Sequence, residues 1–392
     1  MKTAIVERDV AHLIFPDEVQ DLAAPATEAG GPRGRTGSRR IAPPADALLH
    51  AVERISEATR PIIVVGNGAK GSMDTIIRLA AKLGAPIATT FKAKGLVSER
   101  HPLSCGVLGR SGTPVASWMM NESDLVIVFG ASFANHTGIA DYKPIVQVDY
   151  DPMALGRFHP VEVAVQGDIG ETSALLLDHV DAVADRADRT KDEVSQRRQL
   201  WTAEKASRSS DRGDGLSSAL VMDSLTRLVA ADAVLTVDVG NNAYSFGRYF
   251  ESSGRQDLLM SGYLGSIGFA FPAAMGAWAA TDGRRQIVSI SGDGGFGQYA
   301  MELTTAAKYD MAITHVLLNN SELGKISKEQ LAAEHQVWQT SLVNPDFAEF
   351  ALLCGAHGQR VTAAGQLDAA IRDALAHPGP SLVEIITDPL LV

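Results

Sequence analysis

The most regular feature of the chain is an alternation, carried through twice, of short continuous apolar runs with segments whose apolar residues recur every three or four positions. The first series starts at Ala45. It runs through a helical pattern "ADALLHAVERISEAT", a strand "PIIVVG", a helix "DTIIRLAAKLG" and a strand "PIATT". A Gly-rich loop follows, then a helix around "VASWMMNES" and the strands "DLVIVFG" and "PIVQVDYD". The second series opens with "SSALVMDSLTRLVA" and continues through "AVLTVDVG", "FPAAMGAWAA", "QIVSISGDG", "AMELTTAAKYD" and "ITHVLLNN" to "PSLVEIITDP". Strands that read as unbroken Val and Ile runs between amphipathic helices predict parallel sheets covered on both faces. The expected class is therefore α/β, with two doubly wound parallel-sheet domains.

The breaks in this pattern set the boundaries. Residues 45–183 form the first predicted domain and 216–392 the second; the charged stretch 184–215 between them reads as a connecting helix and loop. Ahead of Ala45, "VAHLIFPDEVQ" is an apolar run ended by Pro16, after which patterning stops. Residues 1–22 thus read as the tail of another unit. Residues 23–44, which include the basic, Gly-rich "GPRGRTGSRR", read as a solvated linker.

Composition narrows the classes of function. Of 392 residues 45% are apolar and 21% charged, the balance of a folded globular protein. A formal net charge of −11 argues against nucleic acid, since a surface that follows phosphates needs an excess of Lys and Arg. No apolar run is long enough for a membrane span, and "MKTAIVERDV" has no signal-peptide core, so a cytoplasmic protein is expected. Two cysteines, Cys105 and Cys354, provide neither a disulfide framework nor paired zinc ligands.

Two motifs carry candidate chemistry. Gly66, Gly68 and Gly71 have dinucleotide-fingerprint spacing between a strand and a helix, but no carboxylate follows between Asp74 and Glu99 to hold a ribose. A tight strand-to-helix turn is the reading expected there. The stretch "SGDGGFGQYAMELTTAAKYDMAITHVLLNN" is more telling. Asp293 follows one predicted strand between two glycines, and Asn320 follows the next strand. A carboxylate beside a diphosphate is repelled, by about 4 kcal/mol at 4 Å and an effective dielectric near 20. A divalent cation between them reverses the sign. Asp293, the amide oxygen of Asn320 and the main-chain carbonyl of Glu322 would give Mg²⁺ three of its roughly six oxygen ligands.

This stretch resembles the G-D-G to N-N motif of thiamine diphosphate-dependent enzymes. Further segments resemble the same family: "YLGSIGFAFPAAMGA" its aminopyrimidine-holding loop, and "TVDVGNNAYSFGRYF" the opening of its diphosphate-binding domain. "TFKAKGLVSERHPLSCGVLGRSG", "DLVIVFGASFANHTG" and "IVQVDYDPMALG" resemble the central domain, of NAD/FAD-binding type, in the pyruvate oxidase and acetolactate synthase branch. The resemblance implies that Asp293, Asn320 and the Glu322 carbonyl hold Mg²⁺. Gly294 and Gly295 would offer amides to the diphosphate, relatives often having Ser in the place of Gly295. Gly265 would accept the cofactor's exocyclic amine, and Ile267 would be the apolar wedge that bends the cofactor; these two are the implied catalytic positions. Asn241, Asn242, Ser266, Gly292, Leu323 and Gly324 complete the implied binding set.

For the central domain the family leaves two alternatives. In one branch it binds FAD, here through Gly109, Arg110, Ser111, Gly130, Ala131, Ser132, Phe133 and Asp149; in the decarboxylases the same place is empty. The implied activity is decarboxylation of a 2-oxo acid such as pyruvate, with transfer to an acceptor as in oxidases or acetolactate synthases. The family activates its cofactor through a glutamate on a separate pyrimidine-binding domain, and "VAHLIFPDEVQ" resembles only the last strand and exit of that domain. Either a second polypeptide carrying the domain then completes the site, or the chain is a truncated, inactive binding or scaffold subunit; the expected partner is a homo-oligomer or that separate chain.

Overall fold

Two strands buried at every position mark the centre of the first sheet, as continuous Val and Ile runs require. They are β1 (Pro61–Val65) and, after β2 (Ile87–Thr89) and β3 (Ser104–Val107), β4 (Leu125–Phe129). The chain is described by a computed structural model over residues 2–7, 10–24, 30–38, 40–131, 133–134, 136–209 and 214–390. With β5 (Ile145–Asp149) and β6 (Val163–Gln166) the strands form a parallel sheet in the order β3-β2-β1-β4-β5-β6. Helices Ala45–Glu57, Met73–Leu83 and Ile169–His179 cover one face, and Pro114–Glu122 covers the other with Val194 of the helix that follows.

The second sheet repeats this plan. Its strands are β7 (Val234–Val237), β8 (Asp257–Met260), β9 (Ile287–Gly292), β10 (Ile313–Asn319), β11 (His357–Val361) and β12 (Ser381–Ile386), all parallel, in the order β11-β12-β10-β9-β7-β8. The expected fold class, two doubly wound α/β sheets, is the one observed. β3, β6, β8 and β11, the edge strands of the two sheets, are ones that patterning does not announce. β11, "HGQRV", is polar and mostly half-buried, and β6 alternates buried and exposed residues, as edge strands do.

Local signals explain several ends. Helix Pro114–Glu122 starts with Pro114 at its first position and with Thr113 Oγ1 accepting the Ala116 amide at 3.2 Å; helix Met73–Leu83 ends on Gly84 at φ +62°. The charged stretch forms one long helix, Arg186–Arg208, that lies against both domains. Trp201 stacks on Tyr249 with ring centroids 5.7 Å apart, and Lys205 Nζ reaches Glu251 Oε1 at 2.8 Å. The domains also touch directly. Lys70 pairs with Asp257 at 2.8 Å, and Arg248 donates to the carbonyls of Arg110 and Gly112 at 3.0 and 3.3 Å.

The expected strand in "VAHLIFPDEVQ" is not formed. Residues 10–16 are irregular, with Val10, Leu13, Ile14 and Phe15 exposed, and a single turn of helix, Asp17–Gln20, follows. An isolated strand has no ladder partner for its amides, so apolar patterning alone does not make one. No helix among the described residues is long and apolar enough to cross a membrane.

The glycine trio makes a tight turn in which the backbones of two strand ends touch. A Cβ on Gly66 would stand 2.5 Å from Cα of Ala131, and one on Gly68 2.9 Å from Cα of Gly130. Gly66→Ala should therefore lower stability by about 2 kcal/mol through forced separation of the β1 and β4 ends, read from denaturant midpoints. An unchanged midpoint would contradict that close approach.

Candidate functional site

β9 and β10 are neighbours in register, Gly292 beside Leu318, so their carboxyl ends finish at nearly the same level. Asp293 is the residue after β9 and Asn320 the residue after β10, and both line a cavity of 290 Å³. Open α/β sheets bind ligands at this edge because the loops there leave a crevice. The other binding residues named from the sequence line the same cavity: Asn241, Asn242, Gly265, Ile267, Gly292, Gly294, Gly295, Glu322, Leu323 and Gly324. Ser266 does not; its amide donates to Ser261 Oγ at 3.1 Å.

Asp293 is 3% exposed. Burial pushes its carboxyl above the usual range, against the pull of hydrogen bonds from Asn344 and from the amides of Gly294 and Ser321. Among the described residues no Lys, Arg or His pairs with it. Buried carboxylates are ordinarily paired with a cation or bound to a metal, so this one faces the cavity with its charge unbalanced. The donors are a carboxylate, a carboxamide and main-chain carbonyls, all hard oxygens that suit Mg²⁺. They include a single acid, so a search for acid, His or Cys clusters would miss the site.

The loop after β10 is held in a defined shape. Ser321 takes φ +54°, the Glu322 amide donates to Asn320 Oδ1 at 3.3 Å, and Ser327 donates to the Glu322 carboxylate. The segment 340–344 straps the loop down: Leu323 N donates to Thr340 O at 2.7 Å and Leu342 N to Ser321 O at 2.8 Å. Beneath the short helix Asp293–Phe296, the buried His315 ring stacks on Phe296 at 4.5 Å. It is held by Ser289 and Ser291 at 3.0 Å each, and burial lowers its pKa to about 3, which keeps it neutral.

The glycines leave room that side chains would fill. A Cβ on Gly294 would lie 2.5 Å from Leu323 Cδ2, and one on Gly295 would fall on Oδ2 of Asp238. Asp238 was not singled out from the sequence, although it follows β7 as Asp293 follows β9, and the same strand-end acid signal would have found it. It is 1% exposed and gathers the amides of Val239, Gly268 and Phe269 at 2.7, 3.0 and 3.3 Å. It thereby fixes the loop carrying Gly265 (φ +67°) and Ile267. Ile267 is half exposed at the cavity rim, beside the exposed Tyr263 and Leu264. Ser218, Ser245, Lys325, Ile326, Thr387 and Asp388 also line the cavity and had no sequence signal.

A second cavity, of 640 Å³, lies between the domains. Of the residues aligned with flavin contacts, Ser111, Gly130, Ala131, Phe133 and Asp149 line it. Gly109 and Arg110 line instead a separate cleft with Arg208 and Arg248, and Ser132 lies outside the described residues. Asp149 stands at the end of β5, its pKa raised by burial, and accepts the Asp151 amide at 3.0 Å.

Comparison with known proteins gives two family matches. Residues 48–176 match the thiamine pyrophosphate enzyme central domain, and residues 238–385 match the thiamine pyrophosphate enzyme C-terminal TPP binding domain. YdaP of Bacillus subtilis, named provisionally as a thiamine pyrophosphate-containing protein, is 34% identical over 88% of this chain and 60% of its own length. The acetolactate synthase isozyme 2 large subunit of Escherichia coli is 30% identical over 87% of this chain and 62% of its own. The acetolactate synthase large subunit of Corynebacterium glutamicum is 32% identical over 86% and 56%. The chain thus spans about 60% of the length of such relatives.

Burial raises the Asp238 carboxyl to about 6, well above its unfolded value of 3.8. The native state then holds a proton that the unfolded chain has released. Stability associated with Asp238 is complete below about pH 4 and declines as pH rises to about 6, by on the order of 1–3 kcal/mol. Asp238→Asn, which cannot ionise, should flatten this part of the pH profile in thermal melts. An identical slope in both proteins would show that Asp238 ionises normally.

Proposed function

The chain belongs to the thiamine pyrophosphate enzymes, of which it carries the central and C-terminal cofactor-binding domains, and from that premise we propose that it acts in thiamine diphosphate- and Mg²⁺-dependent decarboxylation of a pyruvate-type 2-oxo acid. Carbon dioxide leaves and the remaining two-carbon unit passes to an acceptor, as in an oxidase or an acetolactate synthase, the latter suggested by the names of relatives. The observation that carries this reading is the buried, cation-free carboxylate of Asp293 at the end of β9, facing Asn320 in a cavity edged by glycines.

In this reading Asp293, the Asn320 carboxamide and the Glu322 carbonyl hold the cation, which offsets the repulsion between Asp293 and a diphosphate. Gly294 and Gly295 bring main-chain amides within reach of the diphosphate because they have no side chain to keep it away. The carbonyl of Gly265 would accept the exocyclic amine, and Ile267, at the cavity rim, would press against the cofactor. When bound, thiamine diphosphate supplies an electron sink for cleavage of the bond to the carboxylate. The protein's share is to anchor, bend and exclude water. A pyrimidine-binding domain would complete the site. FAD is proposed for the inter-domain cavity, supported by its size and by Asp149 at the end of β5.

The competing reading is a binding subunit without turnover. Pyruvate consumption by the purified chain with Mg²⁺ and thiamine diphosphate, alone and mixed with a chain bearing the pyrimidine domain, separates the two. Turnover in either case supports an enzyme, and none in both supports the scaffold. Asp293→Ala should weaken cation-dependent thiamine diphosphate binding at least a hundredfold in calorimetry, since it deletes the sole charged protein ligand; unchanged affinity would remove the proposed cation site. Ile267→Ala should leave affinity within about threefold while altering the circular dichroism of the bound cofactor. An unaltered spectrum would deny Ile267 its role in bending.

A further inference from the structure

One oxygen of the Asp293 carboxylate is already committed within the protein. Nδ2 of Asn344 stands 2.7 Å from Asp293 Oδ2 and 2.9 Å from Asn319 Oδ1, so both hydrogens of one amide serve residues at the ends of β9 and β10. A carboxamide nitrogen has two hydrogens in a fixed plane, which leaves this side chain one orientation. Asn319 extends the chain of bonds: its Nδ2 donates to Oε1 of Glu384 on β12 at 2.7 Å. Glu384 is fully buried, accepts the Ala348 amide at 3.3 Å and lies 3.4 Å from the Arg360 guanidinium. A continuous polar chain, Asp293 to Asn344 to Asn319 to Glu384, therefore ties the ends of β9 and β10 to the body of β12.

Resting on the reading of this cavity as a cation and diphosphate site, we propose that Asn344 is a positioning residue for the divalent cation. By holding Oδ2, together with the amides of Gly294 and Ser321 that also bond this carboxylate, it sets the direction in which Asp293 meets the ion and keeps the carboxylate from rotating. Mg²⁺ and Mn²⁺ accept little departure from octahedral geometry, and partners behind a metal ligand set its orientation. The Asn344 side chain is not needed to seat its own segment. That segment is already held by main-chain bonds from Leu323 to Thr340 and from Leu342 to Ser321, and by Asp346, which caps the helix Phe347–Leu353 through the Glu349 amide.

The test uses the full chain with Asn344→Ala and Asn344→Leu, the second keeping the branched shape without donors. Thermal midpoints are measured without cation, and Mn²⁺ affinity is measured by electron paramagnetic resonance at saturating thiamine diphosphate. The inference expects cation-free midpoints within about 5 °C of the parent and Mn²⁺ affinity at least tenfold weaker, with an altered spectrum of bound Mn²⁺. Parent-like Mn²⁺ affinity in either folded variant overturns it. Midpoints lowered by more than about 10 °C in both variants also overturn it, because Asn344 would then be a structural staple. If the parent chain itself binds no Mn²⁺ with the cofactor, the cation reading fails and this inference with it; parent binding with unaffected variants sinks only the role of Asn344.

Discussion

The site depends on two neighbouring parallel strands that end together. Parallel pairing of β9 with β10 requires a crossover, here through the helices Asp293–Phe296 and Glu302–Lys308, and that crossover returns the chain to the same edge one strand over. Asp293 and Asn320 are far apart in sequence and lie at one crevice for this reason. Once there, a carboxylate that is 3% exposed and, among the described residues, is paired with no Lys, Arg or His sets the chemistry of the crevice. A buried anion of this kind costs free energy unless a cation joins it, and the same cation makes a diphosphate welcome.

The surroundings follow from keeping that carboxylate in place. Gly294 and Gly295 lie where side chains would strike Leu323 and Asp238, which lets the β9 loop pack close to both. Asp238 performs a parallel task at the end of β7, gathering three amides so that the loop before helix Ala270–Ala280 cannot drift. His315, neutral between two serines, supports the turn from below. The ends of β7 and β9 thus share one arrangement, in which an aspartate accepts amides of the neighbouring loops.

The central strands and the covering helices were legible because burial on both faces leaves a plain mark, as in "PIIVVG" and "DLVIVFG". Edge strands such as β6 and β11 were not, since one side of each borders solvent and their residues need not be apolar. The apolar run "VAHLIFPDEVQ" misled for the opposite reason: it has strand composition, yet residues 10–16 are irregular and several of its apolar side chains are exposed. In the site, Asp293 and Asn320 were visible as short polar turns after apolar runs. Asn344 was not, because nothing in "SLVNPDF" indicates that its amide points back across two strands. Gly109 and Arg110 show a limit of reading loops by resemblance: they belong to the same loop as Ser111 yet line a different cleft.

The account turns on one ion. Crystals of the chain grown with thiamine diphosphate and Mn²⁺, with diffraction collected at the manganese edge, would locate it directly. The account expects an anomalous peak about 2 Å from a carboxylate oxygen of Asp293, the Asn320 carboxamide oxygen and the Glu322 carbonyl, with diphosphate oxygens completing the shell. Bound cofactor with no peak between those residues, or a peak held by other groups, would contradict it.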